Sequence, residues 1–188
     1  MDMKKVKREY NTQRTVGVWL VFIGVIIILS AILGRDLLIQ PFFMGFGFFI
    51  GYLLILGLPF VNNKLAYGKN SKFQDRMDNI SVVVTIILCT LCGLIIGFDD
   101  LRLLWLCIFI VIGIHFFGFY FSQGKLMPLL GVLTTLNSLI GIFLSSVPFL
   151  LFAMIDSIIK IIIGFRMLSM KRQLDSSDLS SKEYRNFN

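Results

Sequence analysis

The chain predicts an all-α, polytopic membrane protein with six transmembrane helices arranged as three hairpins and both termini cytoplasmic. Three observations carry that prediction. Of 188 residues, 56 % are hydrophobic and 15 % charged, and the mean hydropathy is +0.83, too apolar for a soluble globular domain. Six apolar runs of 19 to 21 residues are separated by polar segments, and 19 residues of helix reach about 29 Å, enough to cross a bilayer core. Counted on alternating sides of those runs, Lys and Arg number 15 against 2, and the basic side stays cytoplasmic.

Residues 1–15 form a basic cytoplasmic segment with Lys4, Lys5, Lys7, Arg8 and Arg14. Span one, 16–34, follows that leader as a signal peptide would. It is too long for one and lacks a small-residue cleavage site, so it reads as a retained crossing. Arg35 and Asp36 make an outer turn before span two, 41–61, where Pro41 suits a first helical turn because its missing N–H costs nothing there. The internal loop 62–79 holds Lys64, Lys69, Lys72 and Arg76, and Asp75 and Asp78 stand near the start of the next helix, where negative charge suits the macrodipole. Span three is 80–98. After the turn Asp99-Asp100-Leu101-Arg102, span four, 103–121, contains the sole histidine, His115. Span five is 126–144 and span six 149–167. The Ser-, Asp- and Lys-rich remainder, 168–188, reads as a flexible, solvated cytoplasmic tail. The domains are therefore 1–15, a transmembrane unit 16–167, and 168–188. Trp19 and Trp105 fit interfacial anchoring near the inner and outer ends of their spans.

The net charge of +7 sits in short segments between apolar runs, which points to anionic lipid headgroups and away from nucleic acid. Cys89, Cys92 and Cys107 all fall within apolar runs and read as packing residues, including the lone Cys89-x-x-Cys92 pair. Gly47-x-x-x-Gly51 and Gly93-x-x-x-Gly97 permit close helix crossing within the chain or in a homo-oligomer. No nucleophile elbow, metalloprotease helix or phosphate-binding loop occurs, so catalytic residues, cofactors and metal ligands are expected to be none, and an enzyme is not expected.

The chemistry of the spans concentrates in 149–166, FLLFAMIDSIIKIIIGFR, where Asp156 and Lys160 lie four apart and so share a helix face. An ionisable group at a bilayer centre costs about 2.5 to 3.5 kcal/mol, so it faces a partner or a cavity. By helical rise, Lys160 and His115 lie roughly 16 and 18 Å from the outer end, and Asn137 shares the level of Asp156 at roughly 10 Å. His115, Asn137, Asp156 and Lys160 thus form a candidate polar intramembrane site. Beside it, Thr134, Asn137, Ser138 and Gly141 make a small, polar stripe on span five.

Two functional classes fit. One is a non-enzymatic structural, stress-related or immunity-type membrane protein in which the polar residues tie helices together. The other is a small solute, ion or proton transporter that uses all four.

The segments Ser71-Lys72-Phe73-Gln74-Asp75-Arg76-Met77-Asp78, Leu103-Leu104-Trp105-Leu106, His115-Phe116, Gly124-Lys125-Leu126-Met127 and 156–164 resemble a family of small bacterial multi-pass membrane proteins of unknown function. That resemblance covers spans two to six and implies a bacterial plasma-membrane location, with no activity attached. The three-hairpin layout is also similar to that of six-span acid-resistance membrane proteins of the HdeD type.

Overall fold

A computed structural model describes residues 10–58, 61 and 64–170. The basic residues expected at 4–8 and the tail from 171 lie outside the described residues, as do 62 and 63 of the internal loop. Seven α-helices occur among the described residues: α1 Gln13–Leu33, α2 Pro41–Gly51, α3 Lys72–Ile96, α4 Leu101–Gly118, α5 Tyr120–Gln123, α6 Leu126–Phe143 and α7 Phe149–Leu168. No strand occurs among them. Four helices, α1, α3, α4 and α6, are long and apolar enough to cross a membrane. The other two expected spans differ. Among the described residues α2 and the π-helical stretch that continues it, Tyr52–Gly57, make a shorter apolar helix, Pro41–Gly57, and residues 59 and 60 of that expected span lie outside the described residues. α7 has 20 residues, but Asp156, Lys160 and Arg166 dilute its apolar character.

Local chemistry explains the helix ends. At α2, the Gln40 side chain accepts a hydrogen bond from Phe42 N at 3.1 Å, and Pro41 occupies the first turn. α3 starts at Lys72, well before the expected span at 80, because Ser71 and Gln74 form a reciprocal capping box: Gln74 N donates to Ser71 Oγ at 3.3 Å and Ser71 N to Gln74 Oε1 at 2.8 Å. Asp100 caps α4 by accepting from Leu103 N at 2.9 Å. Between α5 and α6 the chain reverses at Gly124, whose φ of +83° is disfavoured for a residue with a Cβ.

Each expected hairpin pair packs: α1 with α2, α3 with α4, α6 with α7. The most extensive interfaces, however, join α1 to α7 and α4 to α6, giving the neighbour order α2, α1, α7, α6, α4, α3. Glycine sets both crossings. A Cβ at Gly17 would lie 2.8 Å from Gly164 O, and one at Gly164 would lie 2.7 Å from Gly17 O. Likewise a Cβ at Gly131 would lie 2.6 Å from Gly113 O. Gly47 and Gly51 receive Ile26 and Phe22 of α1, whereas Gly93 and Gly97 have nothing within 4 Å of the Cβ position. The C-terminal end of α3 and the turn after it are correspondingly bare, with Leu94, Ile95 and Phe98 exposed by 76, 80 and 83 %.

The polar segments gather at two opposite ends of the bundle. At one end, Tyr67 N donates to Asn11 O at 2.9 Å, Gln123 Nε2 to Thr12 Oγ1 at 2.7 Å, Gln74 Nε2 to Phe121 O at 3.0 Å, and Tyr67 OH to Met170 O at 3.5 Å. At the other, Trp105 Nε1 donates to Leu37 O at 3.1 Å, and Arg102 spans the loop after α6. Between them lie two apolar clusters. One contains Ile23, Ile27, Leu106, Phe109, Phe149 and Phe152. The second contains Leu20, Phe116, Met127, Leu130, Ile163 and Met167.

Candidate functional site

α7 separates its faces sharply. Ile155, Ile158 and Ile162 are exposed, while Ala153, Asp156, Ser157, Lys160, Ile163 and Gly164 are buried. The pair at 156 and 160 therefore points inward, at the seam between the two apolar clusters. Asp156 is 0 % and Lys160 2 % exposed, and Lys160 Nζ donates to Asp156 Oδ2 in an ion pair along one helical turn. The ammonium also lies 5.7 Å from the Phe109 ring centroid and 5.8 Å from that of Phe116, one ring from each cluster. Ring quadrupoles attract a cation at this range, an effect strengthened by burial of the ammonium. Asp156 Oδ1 has no hydrogen-bond partner, so one oxygen of the carboxylate is buried without compensation.

Asn137 and His115 reach other partners. Asn137 Nδ2 donates to Phe152 O at 2.9 Å, tying α6 to the α7 backbone one turn before Asp156. His115 joins α4 to α3: its Nδ1 lies 2.8 Å from Thr85 Oγ1 and 3.1 Å from Ser81 Oγ. Ser81 Oγ donates to His115 O at 2.8 Å and Thr85 Oγ1 to Ser81 O at 2.8 Å. With both hydroxyl protons committed to carbonyls, the arrangement that keeps every bond assigns the ring proton to Nδ1 and leaves Nε2 as an acceptor. The expected layer is thus three separate polar contacts: an ion pair on α7, an α6–α7 tie and an α3–α4 tie. The small stripe on α6 is buried throughout, at Thr134, Asn137, Ser138 and Gly141. A Cβ at Gly141 would lie 2.8 Å from Leu106 Cδ2.

Lys160 and His115 do share one feature, a cavity of about 220 Å³. Its walls come from α1 (Trp19, Leu20, Ile23, Ile27), α2 and its π-helical extension (Met44, Phe48, Tyr52, Leu56), α3 (Val82, Thr85, Ile86) and α4 with the residue that follows it (Ile112, His115, Phe116, Phe119), with Lys160 from α7. The lining is overwhelmingly apolar. The cavity exists because α2 and α3 close the two ends of the neighbour order without packing extensively on one another. Asn137 and Asp156 are not on its wall.

Sequence reasoning missed several participants. Ser81 and Thr85 stand four apart in an apolar run, a spacing that marks one helix face and was available as a signal. Arg102, expected in a solvated turn, donates to Val147 O at 2.7 Å, Gly141 O at 2.8 Å and Leu144 O at 2.9 Å, clamping the free carbonyls at the end of α6. Trp19, half-buried, packs edge-on to Phe48 at 5.0 Å. At the bundle end that holds Tyr67 and Gln123, Asp78 accepts from Ser122 Oγ at 2.6 Å. Burial pushes its carboxyl up to about 6, a rise opposed by the Ser122 bond and aided by Asp75.

Among the described residues no three His, Cys, Asp or Glu side chains cluster as a metal site, and the three cysteines are free and half-buried. No curated protein and no solved structure matches the chain. A family model does match, over residues 3–177, which is nearly the whole length and includes every helix described above. The chain belongs to that family of unknown function, DUF6609.

Proposed function

We propose that the protein is a non-enzymatic integral membrane protein of a bacterial plasma membrane. It crosses six times with both termini cytoplasmic, and its intramembrane polar residues hold the helices together in a structural, stress-related or immunity-type role. The observation that carries this reading is that Asp156, Lys160, Asn137 and His115 are each engaged by a partner inside the bundle, with no hydrogen bond among the described residues linking one contact to the next. The six-span layout draws support from the two polar ends. Tyr67, Gln123 and the end of α7 meet at the end assigned to the cytoplasm, and the turns bearing Arg35 and Arg102 lie at the other. α7 fits a crossing because its two central charges neutralise each other inside, its outward face is isoleucine-rich, and Arg166 stands at the helix end where it can snorkel.

A second reading, the transporter, rests on the cavity shared by Lys160 and His115. Proteoliposomes separate the two. On the structural reading, a proton or cation gradient across liposomes containing the protein decays no faster than across empty ones. Gradient-driven flux that Asp156→Asn or Lys160→Met reduces, in protein that remains folded, contradicts it.

A further inference from the structure

The cavity between α2 and α3 has a polar pole that the structural role of Lys160 does not use up. An ammonium can donate three hydrogen bonds. Lys160 makes one, to Asp156 Oδ2, and its remaining surroundings include the Phe109 and Phe116 rings. On the same cavity wall stands His115, whose Nε2 is the free acceptor once Nδ1 serves Thr85. The rest of the lining is Trp, Phe, Ile, Leu, Val, Met and the half-polar Tyr52 and Thr85.

We propose that this cavity is a binding site for a compact, neutral, membrane-soluble molecule with an apolar body and a carbonyl or hydroxyl oxygen, the oxygen accepting from Lys160 Nζ. Size, charge and depth each narrow the ligand. A 150 Å³ apolar protein cavity holds benzene, so about 220 Å³ accommodates a substituted ring. An anion is disfavoured because Asp156 already balances Lys160 and would repel a second carboxylate at close range. A phospholipid tail fits the walls but carries its ester oxygens at the bilayer surface, whereas Lys160 lies roughly 16 Å in from the end of its helix. Such a tail would bring only methyl and methylene groups to the ammonium, leaving its donors unmatched. A ring oxygen matches them.

Trp19 lines the cavity and reports on its contents. The Trp105→Phe protein in lipid nanodiscs, titrated with duroquinone, should show saturable quenching of Trp19 fluorescence. Durene, the same methylated ring without oxygens, should compete at least about fivefold more weakly, the cost of one lost hydrogen bond. The Met44→Phe/Ile86→Phe variant, which fills the cavity from α2 and α3, should lose the saturable component while its melting temperature stays near the parent's. Non-saturable quenching that the filled variant shares means partition into lipid and overturns the site. Equal competition by durene overturns the role of the Lys160 donor and assigns the cavity to hydrocarbon chains.

Discussion

At Lys160 three opposing effects meet on one side chain: the loss of hydration, the Coulomb attraction of Asp156, and the two aromatic faces of Phe109 and Phe116. Spacing along α7 made the ion pair legible from sequence, because residues four apart face one another whatever surrounds them. The partners of Asn137 and His115 were not legible. Helical rise gives a residue's depth but not its rotation about the axis, and rotation sends Asn137 toward Phe152 O and His115 toward Ser81 and Thr85. Asp78 supplies a test at this scale. Its folded carboxyl is raised to about 6 from the ordinary 3.8, so the folded chain holds an extra proton between those values. Stability therefore falls as pH rises from about 4 to 6 and stays lower above that window. The Asp78→Asn protein keeps an acceptor for Ser122 and should melt higher than the parent at pH 7.5, by roughly 1 kcal/mol once partial solvent exposure is allowed for. Its advantage should vanish below about pH 4. Parallel melting curves across pH check this directly.

Between helices, glycine does different work at positions that look alike in sequence. Gly17 against Gly164 and Gly113 against Gly131 let backbones touch, and these contacts join spans that are distant along the chain or separated by a short linker. The two Gly-x-x-x-Gly motifs divide: Gly47 and Gly51 seat side chains of α1, while Gly93 and Gly97 face open space. Composition identifies a permissive surface, and only the neighbour order tells which surface is covered. Gly164→Leu forces a side chain into the α1 backbone and should destabilise the bundle by about 3 kcal/mol. Gly93→Ala should be neutral or stabilising by up to about 1 kcal/mol through helix propensity alone. Thermal unfolding of the two variants in detergent distinguishes them, and equal losses would mean that α3 packs closely where it is described as bare. Arg102 belongs to this scale as well: its carbonyl partners lie 39 to 45 residues further on, beyond the reach of any local pattern.

For the whole molecule, hydropathy foretold helices throughout and the order of apolar runs. It did not foretell the π-helical end of α2 or the bare C-terminal half of α3, because hydropathy places neither the local backbone hydrogen bonding nor the neighbouring helices. The proposed orientation makes a plain prediction. In a background with Cys89, Cys92 and Cys107 replaced, Ser146→Cys should react with a membrane-impermeant maleimide on intact cells, and Lys125→Cys should react only after permeabilisation. The structural reading holds that the two charges of α7 are buried as a mutually neutralising pair that lets this helix pack inside the bundle, and a thermodynamic cycle over Asp156→Leu, Lys160→Met and the double variant in nanodiscs tests it most directly. Each single change strands an unpaired charge or partner and should cost about 3 kcal/mol or more, while the double variant should recover most of that loss. Additive losses, or single variants as stable as the parent, would contradict a structural pair.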